Sequence, residues 1–178
     1  MTISHLFQQY LGGSLADALS RLSSDNKRMA YLAEATAEIT GLEEFPQYLT
    51  ILFEIDALVL NDDRHLNNIA VIAKGKKFAY CPIFDQGAGL LSNMMYCPMH
   101  IIPKALIADA QARPFHTTFN RQIRTMQGMY GKQLNMPRFT QGELYEMLEP
   151  LLPYYAARDS KLIADRVCET ILTRQKQG

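Results

Sequence analysis

Apolar positions recur with a helical period through most of residues 3–60. Ser14, after Gly12-Gly13, precedes Leu15-Ala16-Asp17-Ala18-Leu19 and predicts a helix N-cap with an acid in the first turn. Asn26 is the expected cap of the next helix, which carries Met29, Leu32, Ala33 and Ala37 on one face and ends at Gly41. A third helix is expected from near Pro46, a residue tolerated only in a first turn. Its Leu49, Leu52, Phe53 and Leu60 mark one buried face, and Asn61-Asp62-Asp63 should stop it.

The period then changes. Ile69-Ala70-Val71-Ile72-Ala73 and Phe78-Ala79-Tyr80-Cys81-Pro82-Ile83-Phe84 read as two extended runs joined by a turn at Lys74-Gly75-Lys76-Lys77, hence a β-hairpin. Pro82 cannot donate to a ladder, so the second strand should end or lie at an edge there. Residues 87–115 hold no sustained period and predict loop and short helix. Residues 118–129, 140–152 and 159–174 return to the helical period, and Thr140 with Glu143 forms a capping-box pair. The expected architecture is one mainly α domain over residues 1–178, with one small hairpin.

Composition narrows the function. Eighteen Lys plus Arg balance eighteen Asp plus Glu, so the chain lacks the basic footprint of a nucleic-acid binder. Cys81, Cys97 and Cys168 form no CxxC pair and read as reduced thiols of a cytoplasmic protein. The opening residues show no secretory pattern, and no apolar run nears the ~20 residues that span a bilayer; neither secretion nor a membrane is expected. At 178 residues the chain suffices for one core.

The chemistry concentrates between Leu60 and Leu90. A polar cluster, Asp62-Asp63-Arg64-His65-Leu66-Asn67-Asn68, lies between a buried helix and the hairpin, and Phe84-Asp85-Gln86-Gly87 follows the hairpin directly. A hairpin joins its own ends, so Asp63, Asn68 and Asp85 should converge. Two carboxylates and an amide oxygen suit a hard cation such as Mg²⁺. Protein kinases space a catalytic Asp, four residues, an Asn, a hairpin and a metal-binding Asp in this order. Phosphoryl transfer needs a carboxylate at the acceptor hydroxyl, and oxygen ligands holding Mg²⁺ against the phosphates. By themselves, Asp62 and Asp63 would equally serve to cap the end of a helix. His5, His100 and His116 have no partners at ligand spacing.

This segment resembles the Asp-Arg-His-x-x-Asn loop of the HipA-like and CtkA-like bacterial serine/threonine kinases, a loop shared with phosphatidylinositol-kinase-like enzymes. The resemblance is tight over residues 55–90 and loose elsewhere. It implies the helical C-lobe of a protein-kinase-like fold, with ATP and Mg²⁺ as nucleotide and metal and a protein as substrate. By it, Asp63 is the catalytic base, and Asn68 and Asp85 are the metal ligands. His65 organises the loop through hydrogen bonds, Arg64 and Asn67 support the loop or face the phosphates, and Phe84 packs beneath Asp85.

Departures from the pattern shape the expectation. The chain has no Gly-x-Gly-x-x-Gly loop and no strand lysine placed for ATP phosphates, and only helical sequence precedes Asp63. The chain thus resembles a C-lobe whose ATP-binding N-lobe is missing, inactive alone, and completed by a longer chain or a separate protein. Gln86 stands where the kinase motif has its aromatic residue. Two alternatives stay open: a non-catalytic regulatory module, such as a pseudokinase or toxin–antitoxin component, and a lipid or small-molecule kinase. Met94, Met95 and Met99 with Tyr96 are expected to pack on the lobe, and Cys81 to be a small buried residue.

Overall fold

A computed structural model describes residues 1–136 and 138–177. Eight α-helices are arranged with one two-stranded antiparallel sheet among the described residues: α1 (Ile3–Leu11), α2 (Leu15–Ser20), α3 (Asp25–Thr40), α4 (Phe45–Val59), β1 (Val71–Lys74), β2 (Lys77–Tyr80), α5 (Pro103–Asp109), α6 (Phe119–Tyr130), α7 (Gln141–Leu148) and α8 (Ala157–Gln177). The mainly helical expectation is thereby met. No helix of the described residues is long and apolar enough to cross a membrane.

Helix α4 is the centre of the molecule. Leu49, Leu52, Phe53 and Ala57 are buried on it, and it packs against α3, α6 and α8. Pro46 sits in its first turn, where a missing N–H costs nothing. The helix ends because Leu60 turns left-handed, at φ 57°, one residue before the expected stop at Asn61. A branched side chain disfavours that conformation; burial of the Leu60 side chain in the core offsets the cost.

Local signals explain most boundaries. Ser14 caps α2, Thr118 caps α6, and Thr140 with Glu143 forms a complete capping box on α7. Gly41 ends α3 at φ 71°, a left-handed position where a Cβ would be strained. The cap of α3 is Ser24, whose hydroxyl accepts from the Lys27 N–H, and not Asn26, which lies inside the first turn. Both residue types cap well; Ser24 wins because Asp25 already has helical geometry.

The hairpin is shorter than the sequence suggests. Val71 pairs with Tyr80 and Lys74 with Lys77, so the ladder ends two residues before Pro82. Residues 69–70 pair instead with the start of the chain: the Ile3 N–H donates to the Ile69 carbonyl at 2.9 Å, and Val71 N–H to Met1 carbonyl at 2.9 Å. The loop carrying the polar cluster is thus held between α4 on one side and α1 with the hairpin on the other.

Two expectations outside this centre change. Met94, Met95 and Tyr96 are 52%, 80% and 73% exposed, so these three side chains do not pack on the lobe, whereas Met99 is partly buried and Leu91 and Cys97 of the same loop are buried in the core. Cys81 is only partly buried, whereas Cys97 and Cys168 are buried; all three are free thiols.

Candidate active site

The polar cluster is organised around a charge inside the protein. Arg64 is fully buried and forms a bidentate pair with Asp56 of α4, Nε to Oδ2 at 2.7 Å and Nη2 to Oδ1 at 3.0 Å. Its Nη1 donates to two carbonyls at once, Asn68 and Phe84, each at 2.7 Å. With its amide oriented to satisfy both groups, Gln86 accepts from Arg64 Nη2 at 2.7 Å and donates to Asp56 Oδ1 at 3.0 Å. Every N–H of this guanidinium therefore has a partner. Burial of such a pair is tolerable only with this degree of satisfaction.

One nitrogen of Arg64 thereby ties the end of the polar loop to the strand that leaves the hairpin. Asn61 adds a second tie: its Nδ2 donates to Asp56 Oδ1 at 2.9 Å and to the Asp85 carbonyl at 3.3 Å. Its Oδ1 accepts from the Asp63 N–H at 3.4 Å. Inside the loop, Asn68 Nδ2 donates to the Asp63 carbonyl at 3.1 Å, and the His65 Nδ1 accepts from the Asn67 N–H at 3.3 Å. A single 3₁₀ turn, Leu66–Asn68, results.

The sequence-selected residues fall into two groups. Asp63, Asn67 and Asp85 are exposed. Among the described residues, neither Asp63 nor Asp85 has a cation paired to its carboxylate. Asp85 holds a left-handed backbone at φ 59°, a conformation that Asp tolerates better than most residues. Arg64, His65 and Asn68 instead hold the loop. Of the two roles offered to Arg64, facing the phosphates is excluded by its burial in this arrangement, and support remains. Phe84 is 38% exposed, and Gln86 is the residue of this segment whose side chain contacts the buried pair.

Three residues of the site were not selected from sequence: Asp56, Asn61 and Gln86. The available signal was Asp56 itself, an acid within the apolar run Leu52-Phe53-Glu54-Ile55-Asp56-Ala57-Leu58. An acid on a buried helix needs a cation, and Arg64 is the nearest along the chain.

Asp62 points elsewhere. It lines a cavity of about 190 Å³ with Leu91, Cys97, Leu106 and Asp109. Burial lifts its carboxyl above the usual range, and the like charge of Asp63 adds to this against its own backbone hydrogen bond and the attraction of Arg113. Burial, with the Asp62 charge, likewise raises the Cys97 thiol.

As cation ligands, Asn68 and Asp85 offer an amide oxygen and a carboxylate. No protein donor occupies Asn68 Oδ1 among the described residues, while its amide nitrogen makes the internal bond to the Asp63 carbonyl. No three His, Cys, Asp or Glu side chains converge among the described residues. Two oxygen ligands are the number Mg²⁺ commonly takes from protein when phosphates and water complete its octahedron. Comparison of the chain with protein-family models, with curated proteins and with solved structures gave no match.

Proposed function

We propose that this chain is the helical C-lobe of a protein-kinase-like phosphotransferase of the HipA-like type, acting on a serine or threonine hydroxyl of a protein. The observation that carries the reading is the double hydrogen bond of Arg64 Nη1 to the Asn68 and Phe84 carbonyls, 2.7 Å each. It sets the loop bearing Asp63 and Asn68 beside the segment bearing Asp85, and leaves both carboxylates open to solvent.

In this reading Asp63 accepts the proton of the acceptor hydroxyl, and Asn68 with Asp85 holds Mg²⁺ on the nucleotide phosphates. The metal would supply charge neutralisation on the phosphoryl group. His65 and Asn67 shape the 3₁₀ turn that presents Asn68. Arg64 and Asp56 position both segments without touching substrate. The nucleotide base would need a second lobe, from a longer chain or a separate protein.

A non-catalytic module on the same scaffold is favoured by one observation: among the described residues the hairpin is the only sheet, so no β-rich nucleotide cover accompanies the loop. Calorimetric titration with Mg·ATP, on the chain and on Asp85→Asn, separates the readings. Micromolar binding that Asp85→Asn abolishes, with phosphate transfer lost in Asp63→Ala, supports the kinase reading. Binding unchanged by Asp85→Asn removes Asp85 as ligand. Binding weaker than about millimolar, roughly −4 kcal/mol, directs the same pair of variants to the complemented enzyme. Phosphate transfer there at the wild-type rate in Asp63→Ala refutes the reading.

A further inference from the structure

A second buried arginine lies away from the loop and, unlike the first, is not fully occupied. Arg174 of α8 is 6% exposed. Its Nε donates to the Ala57 carbonyl at 2.6 Å, Nη1 to Gln177 Oε1 at 2.6 Å and Nη2 to Asn120 Oδ1 at 3.0 Å. A guanidinium carries five N–H donors, so two remain without a protein acceptor among the described residues. No carboxylate pairs with it there. The Phe119 ring centroid lies 5.6 Å from its guanidinium carbon and the ring meets part of the charge, but unlike Arg64, whose five donors are all answered, Arg174 keeps two N–H groups without an acceptor among the described residues. Desolvation pushes its pKa below the usual arginine value, the physical sign of a cation that burial has left short of counter-charge.

Arg174 borders two cavities: one of about 460 Å³ lined also by Asn120 and Gln177, the acceptors of its Nη groups, and one of about 170 Å³ between α4, α6, α8 and the segment after α6, which gathers further cations. Lys132 and Arg138, both exposed, also line it, and neither has an acidic partner among the described residues. Leu58, Ile123 and Met136 contribute apolar wall. The one acid on the lining, Glu54, is turned to its own donors: Gln127 Nε2 at 2.7 Å, and the Gln133 and Leu134 N–H groups at 3.2 and 2.7 Å. Three cations against one engaged carboxylate leave the cavity positive.

We propose that this cavity binds a small organic anion, a carboxylate carried on an apolar body of about the size of one ring, with Arg174, Lys132 and Arg138 holding the head. Size supports the body: an apolar cavity of about 150 Å³ accommodates benzene. Charge supports the head: Arg174, Lys132 and Arg138 all line this cavity, and cations of this kind hold carboxylate oxygens. The site is independent of the phosphotransferase reading, and its fate does not decide that reading.

The test is a titration of the full chain with sodium benzoate at fixed ionic strength, followed by calorimetry and by the methyl signals of Ile123 and Met136. Sodium acetate (head alone) and benzyl alcohol (body alone) are the controls. Benzoate is expected to bind at least about tenfold more tightly than either, a difference of roughly 1.4 kcal/mol, and to shift both methyl signals. In Lys132→Gln/Arg138→Gln, an exposed double variant that leaves the fold intact, affinity should fall about five- to tenfold, as two screened surface charges allow. Benzoate binding no tighter than the controls, shifts confined to other methyls, or an unchanged affinity in the double variant overturns the proposal.

Discussion

Arg64 and Asp56 lock the end of α4 to the loop that follows it, with both carboxylate oxygens engaged at 2.7 and 3.0 Å. The pair holds its own geometry and, through Arg64 Nη1 and Asn61, that of the segments on either side of the hairpin. Removal of Arg64 alone leaves a buried carboxylate without a cation. Arg64→Ala should therefore cost about 3–5 kcal/mol, read as a lower urea midpoint. Joint replacement, Asp56→Leu with Arg64→Met, should cost much less than the sum of the single changes, because no charge is then stranded. A single-variant loss under about 1 kcal/mol, the size of an exposed ion pair, would show that the clamp does not hold the fold.

The exposed acids should behave in the opposite way. Asp63 and Asp85 pair with no cation among the described residues and face solvent. Asp63→Ala and Asp85→Asn should each leave stability within about 0.5 kcal/mol of the parent chain, read from the same urea curves. Asn at 85 keeps the tolerance for the left-handed backbone at φ 59°. A large loss in either variant would mean that the carboxylate works in the fold, and the functional assignment of that residue would lose its basis.

The sequence revealed the helices and the hairpin because their signals are local. The Ser14 and Thr140 caps, Gly41, and the β-branched Val71-Ile72 before Gly75 act within a few residues of themselves. That the loop of Asp63 and Asn68 lies beside the segment of Asp85 was legible for a related reason: a hairpin brings its own ends together, here joined through Arg64 to the Asn68 and Phe84 carbonyls. What stayed hidden depends on distant partners. Gln86 looks like a foreign insertion in Phe84-Asp85-Gln86-Gly87, and its purpose emerges only once Asp56 and Arg64 are seen beneath it. The choice between Ser24 and Asn26 turns on which of two good caps leaves Asp25 helical, which composition does not decide. The exposure of Met94 to Tyr96 is a property of what packs against a loop, and no period within the loop reports it.

Gly89 offers a test of the segment after Asp85. A Cβ built there would lie 3.1 Å from the carbonyl oxygens of Gln86 and Val59, and 3.3 Å from Val59 Cγ2. The Leu90 N–H reaches the same Val59 carbonyl at 2.6 Å, so the loop is drawn tightly onto the end of α4. Backbone atoms cannot step aside as a flexible side chain would. Gly89→Ala should cost about 1–3 kcal/mol, as overpacking generally does, and speed amide exchange at Leu90. The parent exchange rate at Leu90 in that variant would show that the approach is looser than the geometry states.

Asp62 carries a pH dependence whose sign follows from its surroundings. Burial first, and Asp63 second, raise its carboxyl above the value of 3.8 that a free side chain shows, while its backbone hydrogen bond and Arg113 oppose them. A carboxyl with a raised folded-state pKa is ionised in the fold at some cost. That cost is absent below the unfolded pKa, where both states hold the proton, and is fully present once pH exceeds the folded value. Asp62→Asn removes the cost without removing the side chain's shape. The variant should therefore be more stable than the parent at neutral pH, and its advantage should shrink as pH falls through the folded pKa toward 3.8. Urea midpoints of parent and variant, measured in parallel from neutral pH downward, read this directly. An advantage that stays constant with pH would assign the gain to packing in the cavity shared with Cys97 and Leu106, and a variant less stable than the parent at neutral pH would mean that the charge is held by a favourable partner.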